Sequence, residues 1–381
     1  MTDGQPLPAS LLPTLHAAWR RYGDPRQIVR VVEVSPHVST NAVYRVELDD
    51  GQAIIAKFSS YGSYFLFCED HDRIHRCKRL LYGTRYRHFL ADTLTVRTAA
   101  ANHHDHDHDH DHDHDRQPGS DPDQNRVFTY YDGRLWAAFY EELERKAPLP
   151  KILTDAQIDC LGREMALFHI ECARLAPNVP LTSKSLKSDA IHLLETVTNR
   201  HSAARFALEP DELEVVRRHT HDFLTELERV SYDYWPKMPV LIDWNLSNFS
   251  VEMKPDGQFV LFSRWDYDWF RIEPRTLDFY FLSRVSSRTG DRTHFTYSPH
   301  TLLEPRFQRF LAAYHAVYPM TETEVRFLKE CYRFFILNYV IAEGDHFFVE
   351  DFWRRLQKEA VHAYLPAVDA LDLEPLLQIV R

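Results

Sequence analysis

The chain has 381 residues, 44% hydrophobic and 27% charged, enough apolar material for two domains or one large bilobal unit. Its formal charge is −11, and one histidine–aspartate repeat supplies six of those negatives; the mildly acidic remainder has no basic run, which excludes a nucleic-acid footprint. The five cysteines lack zinc-site spacing and disulfide density, and no apolar run is long enough to span a bilayer. The expectation is a cytoplasmic protein with neither membrane nor nucleic acid as partner.

From Pro8 to Tyr22 the apolar positions Leu11, Leu12, Leu15 and Trp19 predict a helix. The period then changes. "QIVRVVEVS", "AVYRVELDDGQAIIAKFSS" and "RVFTYYDGRLWAAFYEEL" are rich in β-branched and aromatic residues, and Asp50-Gly51 and Asp132-Gly133 signal tight hairpins. Lys57 closes the apolar strand "AIIAK", where an ammonium is held without much freedom. Between the hairpins, Phe65 to Tyr86 reads as a helix with Ile74, Cys77, Leu80 and Leu81 on one face.

The repeat "HHDHDHDHDHDHD", His103 to Asp115, lies before the last of these strands, within turn-rich flanks that mark an insertion at about residues 100–126. In an extended segment His104, His106, His108, His110 and His112 fall on one side. Such a comb binds Zn²⁺ or Ni²⁺ through imidazoles but lacks the fixed geometry that metal catalysis requires. It reads as an appendage.

After Pro150 the pattern is helical. Thr154 is placed as the N-cap of "DAQIDCLGREMALFHIECARL", and four further amphipathic runs follow. One β-like island, Pro239 to Phe270, interrupts them and gathers acids and amides. Asp243 is followed five positions later by Asn248, and the return strand ends in Asp266 and Asp268. A carboxylate, an amide oxygen and a second carboxylate form a hard oxygen set suited to Mg²⁺ shared with phosphates. Asp243 is then free to orient a hydroxyl and accept its proton, with Lys57 as the phosphate-side cation.

These segments, in this order, resemble the aminoglycoside phosphotransferase and choline kinase group over nearly the whole chain. "STNAVYRVELDDGQAIIAK" is similar to the family's nucleotide loop and lysine strand, "LGREMALFHIECA" to its Leu-His helix, "DWNLSN" to its catalytic loop, and "DYDWFRIEPRTLD" to its metal-binding segment. The resemblance implies an α+β, bilobal protein-kinase-like fold. A small antiparallel N-terminal lobe (residues 1–145) would bind ATP or GTP with Mg²⁺, and a mainly helical lobe (146–381) would hold a small-molecule hydroxyl acceptor. It implies nucleotide contacts from Ser39, Asn41, Lys57 and the Glu142 linker, and a Lys57 partner at Glu69. Asp243 becomes the catalytic base, Asn248, Asp266 and Asp268 the metal ligands, and Asp278 a structural anchor of the catalytic loop. His169, on an apolar helix face, reads as a packed core histidine.

The sequence also departs from the family pattern. Leu241-Ile242 stand where His-Gly usually precedes the catalytic aspartate, and the segment around Ser39 has no glycine. A rival register would put Arg264 in the metal position and make the protein a pseudokinase acting by nucleotide binding or interaction. A third class, a metal-handling protein, would use the repeat.

Overall fold

A computed structural model describes residues 11–35, 41–60, 62–97, 125–291 and 297–381. Ser39 and the whole histidine–aspartate repeat lie outside the described residues.

The described parts of residues 11–34, 41–60 and 92–141 form one unit. Helix α1 (Leu12–Tyr22) leads into strands β1 (Ile28–Glu33), β2 (Asn41–Leu48), β3 (Ala53–Ser59), β4 (Thr95–Arg97), β5 (Asn125–Val127), β6 (Thr129–Tyr131) and β7 (Trp136–Glu141). Five of them make an antiparallel sheet in the order β1-β2-β3-β7-β6, while β4 pairs with β5. Both expected Asp-Gly hairpins form. Gly51 and Gly133 take φ of 81° and 95°, values that only glycine adopts at no steric cost. Asp132 also accepts from the Thr14 hydroxyl at 2.8 Å, which ties the second turn to α1. Leu15, Ala18 and Trp19 of α1 pack on Tyr44, Val46, Ile54, Ala56, Phe58 and Phe139 from one sheet face. Alternation puts Lys57 on the other face, and its strand runs two residues further than the sequence suggested, to Ser59.

The second unit comprises residue 35, residues 62–91 and the described chain from 142 to 381. Helix α2 (Tyr64–Leu81) groups here rather than with the sheet. It ends five residues before the expected Tyr86. The Thr84 hydroxyl takes the Leu81 carbonyl at 2.8 Å and the Tyr86 N–H donates to Thr84 Oγ1 at 3.1 Å, local bonds that compete with helix continuation. Helix α3 (Asp155–Leu175) starts at the expected N-cap Thr154, which forms a capping box with Gln157, each satisfying the other's backbone N–H. Gly162 lets the helix Pro305–His315 lie close against α3, because a Cβ there would sit 2.6 Å from the Phe310 carbonyl oxygen.

The β island resolves into two ladders rather than one hairpin. β8 (Met238–Val240) pairs with β11 (Arg271–Glu273), and β9 (Phe249–Met253) pairs with β10 (Phe259–Arg264), all antiparallel. Strands of three residues, one of them containing Pro239, carry too little alternation to be read in advance. The loops between β8 and β9, and between β10 and β11, contain Asp243, Asn248, Asp266 and Asp268. A sheet-bearing unit and a larger helical unit make up the expected α+β fold.

Candidate active site

The β8–β9 loop is built on a strained turn. The Asp243 N–H donates to the Leu241 carbonyl at 2.7 Å and the Trp244 N–H to the Ile242 carbonyl at 2.8 Å, which forces Ile242 to φ 61°. A β-branched residue in that region costs about 1–3 kcal/mol and persists only where its surroundings over-determine it. One such surrounding is Asp278. Its buried carboxylate accepts the Ile242 N–H at 2.6 Å and meets His169 Nε2 at 2.9 Å, while His169 Nδ1 meets the Tyr314 hydroxyl at 2.7 Å. Asp278 thus holds the loop as an anchor and His169 is a fully hydrogen-bonded core residue. The Asp278→Ala variant orphans the Ile242 N–H and a His169 nitrogen. It is expected to lose ~2–4 kcal/mol of unfolding free energy in a denaturant titration.

Asp243 is half-buried, and its Oδ1 accepts from the Asn245 N–H at 3.2 Å. Burial raises its pKa above the ordinary aspartate value, opposed by Arg264 and Arg284 and reinforced by Asp291. Asp291 was not singled out from the sequence. Its carboxylate accepts the Ser247 N–H at 3.2 Å, and its own N–H donates to the Lys151 carbonyl at 2.7 Å. The preceding Gly290 has φ 64°, and a Cβ on it would lie 2.1 Å from that carbonyl oxygen. Only glycine fits, and this brings a second carboxylate to the Asp243 loop.

Asn248 and Asp266 are placed by ladder register. Phe249 is paired with Arg264, and one step beyond, the Trp265 N–H donates to the Asn248 carbonyl at 3.0 Å. Asp266 follows directly, at φ 73°, and its Oδ1 is 3.4 Å from the Asp268 N–H. Tyr267 anchors this turn from within: its hydroxyl accepts the Ala91 N–H at 2.8 Å and donates to the Arg264 carbonyl. Among the described residues no group of three or more His, Cys, Asp or Glu side chains gathers. Asn248, Asp266 and Asp268 offer an amide oxygen and two carboxylates, hard donors of the kind a divalent cation takes. Such a sparse set matches a cation that takes its remaining ligands from phosphates and water.

Arg264, which the rival register would put in the metal position, is turned into the interior. Its side chain is fully buried, and Nη2 donates to the Asp243 carbonyl at 2.7 Å, the Asp266 carbonyl at 3.2 Å and the Leu241 carbonyl at 3.4 Å. The guanidinium lies 5.0 Å from the Trp244 ring centre. The carboxylate next along from the Asn248 contact belongs to Asp266.

In the sheet unit, Lys57 is paired with Val43 and Ala138, and Asn41 opens β2 opposite Ser59. Register puts Asn41, Val43, Lys57 and Ser59 on one face, away from the Trp19 core, and both Asn41 and Lys57 are buried. Glu142 is exposed and follows β7 directly. Glu69, on α2, receives the Ser183 hydroxyl at 2.5 Å and pairs with Arg73 at 3.2 Å. Burial pushes that carboxyl's pKa up, but these two partners outweigh it and hold it below the ordinary value. The acidic–aromatic stretch Glu343 to Trp353 meets the aromatic residue after Asp268 through Phe347. Its ring lies 5.4 Å from Trp269, which also stacks on Tyr339 at 3.9 Å and directly follows Asp268.

No family model matches the sequence, and no curated protein matches it either. Solved structures do match its fold. A structure of amicoumacin kinase with AMP-PNP, Ca²⁺ and Ami is 12% identical, covers 94% of each chain and has a TM-score of 0.54. The GDP complex of aminoglycoside 2′-phosphotransferase-IIIa is 15% identical, covering 93% of this chain and 98% of that one, at a TM-score of 0.54. A microcompartment-associated aminopropanol kinase is 15% identical, covering 97% and 99%, at a TM-score of 0.53. The chain therefore has the kinase-like fold of these small-molecule phosphotransferases.

Proposed function

We propose that the protein moves the γ-phosphate of ATP or GTP to a hydroxyl group of a small-molecule acceptor. The observation that carries this reading is the β9–β10 register, which sets Asn248 and Asp266 at adjoining positions next to the anchored Asp243 loop. Asp243 accepts a hydrogen bond from the acceptor hydroxyl and takes its proton as the new O–P bond forms and the bond to the leaving diphosphate breaks. Burial suits it to that task, because a carboxyl with a raised pKa is a stronger base. Asn248, Asp266 and Asp268 hold Mg²⁺, which neutralises phosphate charge. Lys57 holds the nucleotide phosphates, with Ser39 and Asn41 in the nucleotide loop and the Glu142 backbone against the purine. In this reading residues 1–145 serve the nucleotide and residues 146–381 the chemistry and the acceptor. The sheet-face placement of Asn41 and Lys57 supports it, as do the nucleotides named for the solved structures of this fold.

The test is transfer from γ-labelled ATP and GTP, with Mg²⁺, across a panel of aminoglycosides, macrolides, amino alcohols and sugars. Labelled product from at least one acceptor, lost on Mg²⁺ removal, is the expected outcome. Nucleotide binding without transfer to any acceptor would instead leave the degenerate reading.

A further inference from the structure

Among the described residues only three non-glycine residues have positive φ, and two of them, Ile242 and Asp266, flank the candidate catalytic groups. Arg264 meets both. It bonds the carbonyls on either side of Ile242, those of Leu241 and Asp243, and it bonds the carbonyl of Asp266 itself. Asp278 holds the Ile242 N–H at 2.6 Å. The strained turn is thus gripped at the amide by one residue and at the two adjoining carbonyls by another.

We propose that Arg264 is a positioning residue that clamps the Asp243 loop and the Asp266 loop in register, compensating for a β-branched residue in a glycine conformation at Ile242. The role rests on the phosphotransfer reading of those loops. Full burial argues against a solvent-facing or substrate-binding arginine. Among the described residues two of its nitrogens, Nε and Nη1, have no hydrogen-bond partner while Nη2 spans three carbonyls. An arginine kept in the interior on those terms is held for where it aims one nitrogen, since a buried cation of this kind is poor value as general stabilisation.

The inference makes a specific claim about pairing. If Arg264 compensates for strain at Ile242, its removal matters less once residue 242 is a glycine, for which φ 61° carries no penalty. The experiment is a double-mutant cycle of Arg264→Met and Ile242→Gly, with Arg264→Lys as a second, charge-retaining variant. Two readouts are taken: amide hydrogen exchange of Ile242 to Trp244, and kcat and KM for nucleotide in the transfer assay. The packing lost with the buried Ile242 side chain enters both arms and cancels. Arg264→Met is expected to speed exchange of those amides by at least about tenfold and to lower kcat more than it raises KM. In the Ile242→Gly background both effects should shrink to about threefold or less, and Arg264→Lys should show the same background dependence. Equal effects of Arg264→Met in the two backgrounds, or no effect in either, would overturn the proposal. Hydrogen exchange needs no turnover, so a wild-type protein without transfer would sink the phosphotransfer reading while the cycle still decides the clamp.

Discussion

Replacing Asp243 by asparagine is expected to lower kcat by about 10²–10⁴-fold, the usual contribution of a positioned general base, while nucleotide affinity stays within about threefold. The substitution is nearly isosteric. The Asn245 N–H keeps an oxygen acceptor, and the backbone bonds of the turn are unaffected. What is removed is the group that takes the proton. The wild-type pH profile supplies an independent check. The base works ionised, so the rate falls as pH drops through its pKa in the enzyme. Burial raises that pKa above the ordinary aspartate value against the pull of Arg264 and Arg284, so the acid limb of kcat/KM, which reports the free enzyme, should lie above that value. The limb should vanish from the residual rate of Asp243→Asn. Wild-type turnover in this variant would refute the assignment of Asp243.

How much of this could be read beforehand follows from where the controlling physics lies. Thr154 was legible as an N-cap because the signal is local, and the Asp-Gly turns were legible because positive φ selects glycine locally. That Asp243, Asn248, Asp266 and Asp268 sit in loops beside short strands was legible because apolar strands bound both ends, whereas Asp278 was anticipated only through the family resemblance. The rest depends on contacts across long sequence separations. Arg264 looks in sequence like an intruder in a metal site. Only the fold shows its guanidinium turned back onto the carbonyls of Leu241 and Asp243, more than twenty residues away. Asp291 joins the catalytic loop only because Gly290 admits the Lys151 carbonyl. The grouping of α2 with the helical unit likewise rests on tertiary contacts, such as Arg73 to the Pro180 carbonyl at 3.1 Å, which no local pattern announces.

The second large effect is expected at Asp266. An Asp266→Asn variant keeps an oxygen in nearly the same place but removes a full charge from a donor set that has few to spare. The Mg²⁺ concentration for half-maximal turnover should rise at least about tenfold, and kcat at saturating Mg²⁺ should fall on the order of 10²-fold. The same change at Asp268 should cost less, and the reason is geometric. Asp266 lies one residue beyond the Trp265–Asn248 backbone bond, its φ of 73° is held by Arg264, and its own carboxylate is met by the Asp268 N–H. Asp268 lies two residues further along the chain from that bond than Asp266 does. Metal affinity depends on how little a ligand must be ordered when the ion arrives, so a carboxylate on a turn held in this way carries much of it. Mg²⁺ titrations of turnover for the two variants, run side by side, read this directly. If Asp268→Asn shows the larger shift and Asp266→Asn is near wild type, the rigid turn around Asp266 serves only to aim its neighbour, and the ligand assignment passes to Asp268.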